Sequence, residues 1–216
     1  MVSVLSTQFS LVNSWINELR NVDVQQDRMR FRRNMERIGE IAAFELSKDL
    51  ETKEIEIQTP LDKLKVKEIA VQPVITTILR AGVPLFEGIL NYFDKADCGF
   101  VAAYRKHDAN DYFSIKQDYL TCPNIDGRPL IVADPMLATG ASLIEAIKDL
   151  LTNGTPSQLH IVAAIASKRG VETIEKAYPQ AKIWVGAIDE NLTAKGYITP
   201  GLGDAGDLSY GEKLQR

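Results

Sequence analysis

Apolar positions along the chain first recur at helical spacing and then in short runs. Phe9, Val12, Trp15, Ile16 and Leu19 predict a helix over 8–19, and a longer stripe of Phe31, Met35, Ile38, Ala42 and Leu46 predicts a second over 23–50. Ile55 and Ile57 then alternate with polar neighbours over 53–58, which reads as a half-exposed strand, while 60–67 reads as a turn and linker. Ile69, Val71, Val74, Ile75 and Ile78 make 68–79 a candidate central strand, although Pro73 breaks its ladder near the start. A helix over 83–93 and a strand over 98–104 follow. The segment 105–123 is rich in Lys, Asp, Asn and Tyr, with Phe113 and Ile115 its few clear apolar residues. Loops that long in a compact domain are lids or hairpins over ligands. A lid over 106–121 that orders on ligand binding is therefore expected.

The later pattern is more regular. Leu130, Ile131, Val132 and Ala133 form a run too short for a helix, which reads as a buried strand. Leu143, Ile144, Ala146, Ile147, Leu150 and Leu151 have helical spacing; 159–166 and 183–187 read as strands, with a helix over 171–177 between them. Alternation of strand and helix across 68–190 predicts an α/β fold, a parallel sheet with helices on both faces and short right-handed crossovers. N-terminal helices (8–50), core (68–190) and tail (191–216) fit one domain of 216 residues.

Composition narrows the function. A net charge of −4 and a pI near 5.3 argue against broad nucleic-acid binding, which needs a concentrated basic face. Any phosphate must be met locally. Cys98 and Cys122 are the only cysteines, which rules out a disulfide framework or a zinc quartet and suits free thiols in a reducing cytosol. Asn13 and Glu18 interrupt the early apolar residues, so no secretory leader is expected, and no apolar run reaches membrane-spanning length. The expected location is the cytoplasm.

Candidate chemistry gathers at 130–142, L-I-V-A-D-P-M-L-A-T-G-A-S. Asp134 stands at the end of the strand, and Thr139, Gly140 and Ser142 close the loop before the helix. Exposed N–H groups, hydroxyls flanking a permissive glycine and the positive end of a helix dipole make an anion cradle. The plain alternative is an ordinary strand-turn-helix unit in which Ser142 is only an N-cap. A Walker loop would need a Lys where Ala141 stands, and the dinucleotide fingerprint G-x-G-x-x-G is missing. Arg80-Ala81-Gly82 sits at another strand end, where open α/β sheets bind ligands, or else is a plain corner.

The stretch D-P-M-L-A-T-G-A-S resembles the phosphoribosyl diphosphate motif of type I phosphoribosyltransferases, in the variant of the uracil enzymes. Downstream, G-Y-I-T-P-G-L-G-D-A-G-D at 196–207 resembles that family's uracil-binding segment; I-L-R-A-G at 78–82 and Tyr104-Arg105 also match. The resemblance implies a type I phosphoribosyltransferase-like sheet with a small C-terminal base-binding hood and a β-arm or loop. It implies transfer of a phosphoribosyl group to uracil, giving UMP and diphosphate. Arg80, Arg105 and Asp134 would be catalytic. Phosphoribosyl diphosphate would be bound by Arg80, Arg105, Asp134, Pro135, Met136, Leu137, Ala138, Thr139, Gly140, Ala141, Ser142 and Asp204, and uracil by Ile198, Gly203, Asp204 and Ala205.

This sequence departs from the family pattern in the run after Arg105, so His107 is read as a loop side chain rather than a general base. Many type I enzymes have two adjacent acidic residues where Asp134 and Pro135 stand. No directly coordinated metal is therefore expected, and Mg²⁺ should arrive on the diphosphate and touch the protein mainly through water. Some members of the family are activated by GTP, and the cluster Arg28, Arg30, Arg32, Arg33 and Arg37 is either such an effector site or a solvated face. The resemblance also implies a homodimer or higher oligomer; from charge and hydropathy, neither nucleic-acid nor membrane partners are expected. Two alternatives stay open: a regulator of the same fold that binds RNA, and a purine enzyme.

Overall fold

The computed structural model describes residues 1–107 and 113–212, by backbone alone at 103–107 and 113–118. Its elements are β1 (Val2–Val4), α1 (Leu11–Arg20), α2 (Arg28–Ser47), β2 (Thr52–Gln58), β3 (Lys63–Ile69), β4 (Val74–Leu79), α3 (Val83–Leu90), β5 (Asp97–His107) and β6 (Phe113–Thr121). There follow β7 (Pro129–Ala133), β8 (Met136–Leu137), α4 (Ala141–Leu150), β9 (Gln158–Ser167), α5 (Lys168–Ala177), β10 (Lys182–Asp189), β11 (Asn191–Leu192), β12 (Ile198–Thr199) and α6 (Ala205–Tyr210). The main sheet runs β1-β10-β9-β7-β4-β5-β6, with β8 beside β9. Every pairing in it is parallel except that of β5 with β6.

Helices cover both faces, and the strands show why. Along β7, Leu130 and Val132 pack with α4 and α5, while Ile131 and Ala133 pack with α1, α2 and α3 on the other side. A strand that feeds two cores must be apolar at every position, which explains the unbroken run at 130–133. Ser10 starts α1 with a capping box that uses Asn13, and Asp27 caps α2 by accepting from Arg30 N at 3.1 Å. That cap sets the start of α2 at Arg28, so the expected helix over 23–50 loses its first turn to a bend. Helices α2 and α3 cross closely: a β-carbon on Gly88 would lie 1.9 Å from Glu36 O, and one on Gly39 would lie 2.3 Å from Leu85 O.

Other expectations need correction. The linker expected over 60–67 is largely β3, paired with β2 from Gln58↔Lys63 to Thr52↔Ile69. Its pattern K-L-K-V-K-E-I shows no buried face because the hairpin is tied by charge, with Lys63 Nζ 2.7 Å from Glu56 and Lys65 Nζ 3.1 Å from Glu54. The strand expected over 68–79 is two elements, since β3 ends at Ile69 and β4 starts just after Pro73. Two short strands carried no readable period: β1, which adds to β10, and β8. The polar stretch expected as a lid over 106–121 is largely the ends of β5 and β6, an antiparallel hairpin rather than an irregular loop; its tip, 108–112, lies outside the described residues, as does any statement about the His107 side chain.

Candidate active site

Strands β4 and β7 are neighbours whose outgoing connections leave in opposite directions, β4 toward β5 and β7 toward β9. Ligand crevices of open α/β sheets lie at the carboxyl ends of such a pair. Arg80 directly follows β4 and Asp134 directly follows β7, and Thr77 and Ala133 are register partners just before them. Thr77 Oγ1 donates to Ala133 O at 3.0 Å, and a β-carbon on Gly82 would lie 2.1 Å from that hydroxyl. Glycine thus lets the 80–82 turn press into the sheet edge.

The loop 134–140 is held from beneath. Asp134 N donates to Val162 O, Pro135 O accepts from Ala164 N and Ile165 N, and Ser167 Oγ donates to Ala138 O at 2.5 Å. The carbonyls of Pro135 and Ala138 are therefore spent on β9, while the amides at the start of α4 have no intrahelical acceptors. Gly140 is the N-cap, with φ +82 and no side-chain cap. Among the described residues a long bond of 3.4 Å from Ala141 N to Thr139 Oγ1 engages the amides of that turn. Backbone donors at a helix start that are this weakly engaged can form an anion cradle. On the far side α5 packs tightly, since a β-carbon on Gly170 would lie 2.4 Å from Ala138 O.

The tail folds over both loops. A β-carbon on Gly196 would lie 3.7 Å from Thr139 Cγ2, and one on Gly206 would lie 3.6 Å from Ala81 Cβ. Asp189, at the end of β10, accepts two bonds from Arg20 at 2.8 Å each and one from Gly201 N at 3.0 Å, and Arg20 also donates to Gly201 O at 2.9 Å. Ile198 and Ala205 bury their side chains in the helical core, so only their backbone can face a ligand. Gly203 is exposed with φ +96, and Asp204 Oδ1 caps α6 by accepting from Gly206 N and Asp207 N.

Ile198, Gly203, Asp204 and Ala205 therefore share one folded segment beside Arg80 and the loop from Pro135 to Ser142. Arg105 is on β5, three residues past the Leu79↔Ala102 partners, and its side chain lies outside the described residues. Asp207 was not among the expected ligands, yet its carboxylate pairs with Arg80 Nη2 at 2.9 Å. Its place one helical turn after Asp204 in the 196–207 motif was the available signal.

Four of the five α2 arginines, Arg30, Arg32, Arg33 and Arg37, are engaged by neighbouring groups, while Arg28 is exposed. Arg30 pairs with Glu18, whose carboxyl is held below its usual range by hydrogen bonds from Arg30 and then Asn34. Arg33 pairs with Glu36, Arg37 bonds Asn34 Oδ1, and Arg32 donates to Ser209 O at 2.7 Å. Burial pushes the thiols of Cys98 and Cys122 up, the reverse of what a nucleophilic thiolate needs. Among the described residues no group of three His, Cys, Asp or Glu side chains could hold a metal, and no helix is long and apolar enough to cross a membrane.

The family model described as uracil phosphoribosyltransferase matches residues 6–211. This chain belongs to the uracil phosphoribosyltransferase family. It is 46% identical over 211 residues to the uracil phosphoribosyltransferase of Porphyromonas gingivalis, covering 97% of this chain and 98% of that protein. The uracil phosphoribosyltransferase of Thermococcus gammatolerans is 39% identical over 204 residues, covering 93% and 89%. Among solved structures, the AQ2163 protein from Aquifex aeolicus superposes with a TM-score of 0.87 at 30% identity over 100% of both chains. TT1426 from Thermus thermophilus, at a TM-score of 0.52 and 15% identity over 82% and 95% of the chains, shares the fold. The α/β architecture of this uracil phosphoribosyltransferase family member is thus that of its relatives.

Proposed function

We infer that the protein is a uracil phosphoribosyltransferase, a pentosyltransferase of pyrimidine salvage that converts uracil and phosphoribosyl diphosphate to UMP and diphosphate. One observation carries the reading beyond family membership: the tail meets the phosphate loop at Gly196–Thr139 and the Arg80 turn at Gly206–Ala81, so a base held by the tail lies beside a phosphoribosyl group held by the loops.

The reaction breaks the C1′–O bond to diphosphate as a pyrimidine nitrogen attacks, with positive charge growing on the ribose. Backbone amides of 138–142 hold the 5′-phosphate in this reading, and Asp134 fixes the ribose hydroxyls and faces the developing cation. Arg80 and Arg105 take up charge on the departing diphosphate. Uracil is read by backbone groups of Ile198, Gly203 and Ala205, with Asp204 beside them. Catalysis then rests on positioning and charge, and no side-chain nucleophile is required.

Mg²⁺ is proposed to enter with the diphosphate, whose charge it neutralises, because Asp134 is followed by Pro135 rather than a second carboxylate. GTP as an effector belongs to the same reading, supported by the exposed Arg28, whose guanidinium a β-carbon on Gly211 would approach to 3.7 Å. A homodimer or larger assembly is supported by the apolar Leu61 and Leu64 exposed on the β2–β3 hairpin. A cytoplasmic setting is supported by the free thiols of Cys98 and Cys122.

The test is an incubation of the protein with phosphoribosyl diphosphate and Mg²⁺ plus uracil, hypoxanthine, adenine or orotate in turn. UMP should form with uracil alone. Asp134→Asn should keep the fold and lower kcat, since it removes a charge at nearly constant volume. Product with a purine instead, or an unchanged rate in the variant, overturns the assignment.

A further inference from the structure

We infer that Asp207 is a positioning residue for the phosphoribosyl donor, acting through its ion pair with Arg80 to set that guanidinium for the diphosphate. The inference rests on the reading above, which puts Arg80 against the diphosphate. An arginine side chain loses rotamer entropy when fixed, so a phosphate-binding arginine works best when something else holds it. Here the holding groups come from the tail. Arg80 Nη2 donates to Asp207 Oδ1 at 2.9 Å and to Gly211 O at 2.9 Å, and the side chain is still 40% exposed.

Both bonds use the same nitrogen. Among the described residues Nε and Nη1 have no acceptor, so one edge of the planar fork is anchored and the remaining donors can meet phosphate oxygens. Asp207 is itself firmly presented. Its N–H is bonded to the Asp204 cap at 3.0 Å, Arg32 grips the following turn through Ser209 O at 2.7 Å, and Gly206 packs on Ala81.

A mechanical link follows. Gly203, Asp204 and Ala205 lead into α6, and Asp207 lies in its first turn. The same short helix therefore carries the base-reading segment and the anchor of the diphosphate arginine. If the tail lifts, Arg80 loses both acceptors; if Arg80 is drawn onto diphosphate, its anchor holds the tail shut. Each substrate should bind more tightly in the presence of the other, as reciprocal coupling requires.

The experiment measures phosphoribosyl diphosphate and uracil affinities by calorimetry, with UMP formation, for the unaltered protein, Asp207→Asn, Arg80→Ala and the double variant. Asp207→Asn keeps the volume and one acceptor, so it should fold; Asp207→Ala serves as the full deletion, with melting temperature recorded for each. Asp207→Asn should weaken phosphoribosyl diphosphate binding about tenfold, the factor that 1.4 kcal/mol represents. Uracil affinity without the donor should hold, and the tightening of uracil that bound donor brings should shrink. In the Arg80→Ala background the Asp207 change should have no further effect on the donor. Multiplying effects in the double variant, or parallel losses of uracil affinity and melting temperature with donor binding intact, would make Asp207 an independent contact or a brace and overturn the inference. If the unaltered protein makes no UMP, the parent reading fails, while the donor calorimetry still decides whether Arg80 and Asp207 act as one.

Discussion

Replacing Gly203 with alanine isolates backbone path from side-chain chemistry. Gly203 has φ +96, and a β-carbon there would meet only Leu208 Cδ1, at 3.8 Å. Space is thus available, and the whole cost comes from the dihedral. A non-glycine residue in left-handed backbone costs about 1–2 kcal/mol. The chain cannot shed that strain cheaply, since Gly201 N is fixed to Asp189 on one side and Asp204 caps α6 on the other. Either the segment keeps its path and the protein loses stability, or the path shifts and uracil loses its backbone partners. In the first case the melting temperature falls by roughly 2–8 °C for a chain of this size. In the second, uracil affinity falls roughly 5- to 30-fold, the range that 1–2 kcal/mol spans. Calorimetry with uracil, run beside thermal melts, reads both outcomes. Gly203→Val should be worse, because a branched side chain adds stiffness. Phosphoribosyl diphosphate should bind as before, since the loop proposed to hold it is built on β7, β9 and α4. Unchanged uracil affinity together with an unchanged melting temperature would refute the strain argument, and an equal loss of both substrates would make the tail a brace rather than a reader.

Two further perturbations probe the scaffold. Gly88→Ala places a carbon 1.9 Å from Glu36 O, a clash with backbone that only separation of α2 from α3 relieves; overpacking of this kind costs about 3 kcal/mol, so differential scanning calorimetry should show a clearly lower melting temperature, and a melt like that of the parent would mean the crossing is looser. His160 is buried on β9, with Nδ1 accepting from Trp184 Nε1 at 3.1 Å and Nε2 facing Gln158 Oε1 at 3.1 Å. Burial and then Lys182 lower its pKa from 6.5 to about 4. The unfolded chain therefore takes up a proton first, so the histidine's contribution is complete above about pH 6.5 and is lost as pH falls toward about 4, a loss of about 3 kcal/mol. His160→Asn keeps an acceptor for Trp184 and cannot titrate there, so urea melts followed by tryptophan fluorescence should fall less steeply over that window. Parallel curves for the two proteins would exclude His160 as the titrating group.

The legible parts of the fold were those in which burial imposes a period. Strand β7 and helix α2 face apolar partners along their length, and their patterns were plain. The β2–β3 hairpin was half missed because Lys63–Glu56 and Lys65–Glu54 pairing needs no apolar alternation, and β1 and β8 were missed because a few residues carry no measurable period. At the candidate site, the strand-turn-helix geometry of 130–150 was readable as a local motif. What could not be read were ties between distant segments, Arg20 to Asp189 across 169 residues and Arg80 to Asp207 across 127. Arg80 and Asp207 each lie in a legible motif, but neither motif says that the two side chains meet; only the folded tail joins them.

Those ties also bear on how a hood so poor in bulky groups can be selective. Glycine-rich backbone reads a flat amide edge only if its path is fixed, yet glycine loses the most conformational entropy on being fixed. The structure meets that cost from outside the segment, through paired side chains at each end. Asp189 is almost fully buried and takes three charge-assisted or backbone donors, which suits an anchor that stays closed. Arg80 and Asp207 are 40% and 29% exposed, and exposed pairs are weaker and more easily opened. The more deeply buried anchor of this segment is thus on the Gly201 side and the more exposed one at α6. Product release should proceed by opening at α6 first, with the Arg20–Asp189 end as the hinge. Hydrogen exchange resolved by peptide should then show faster opening at 205–211 than at 198–202 in the unliganded protein, and the reverse order would put the hinge at the other end.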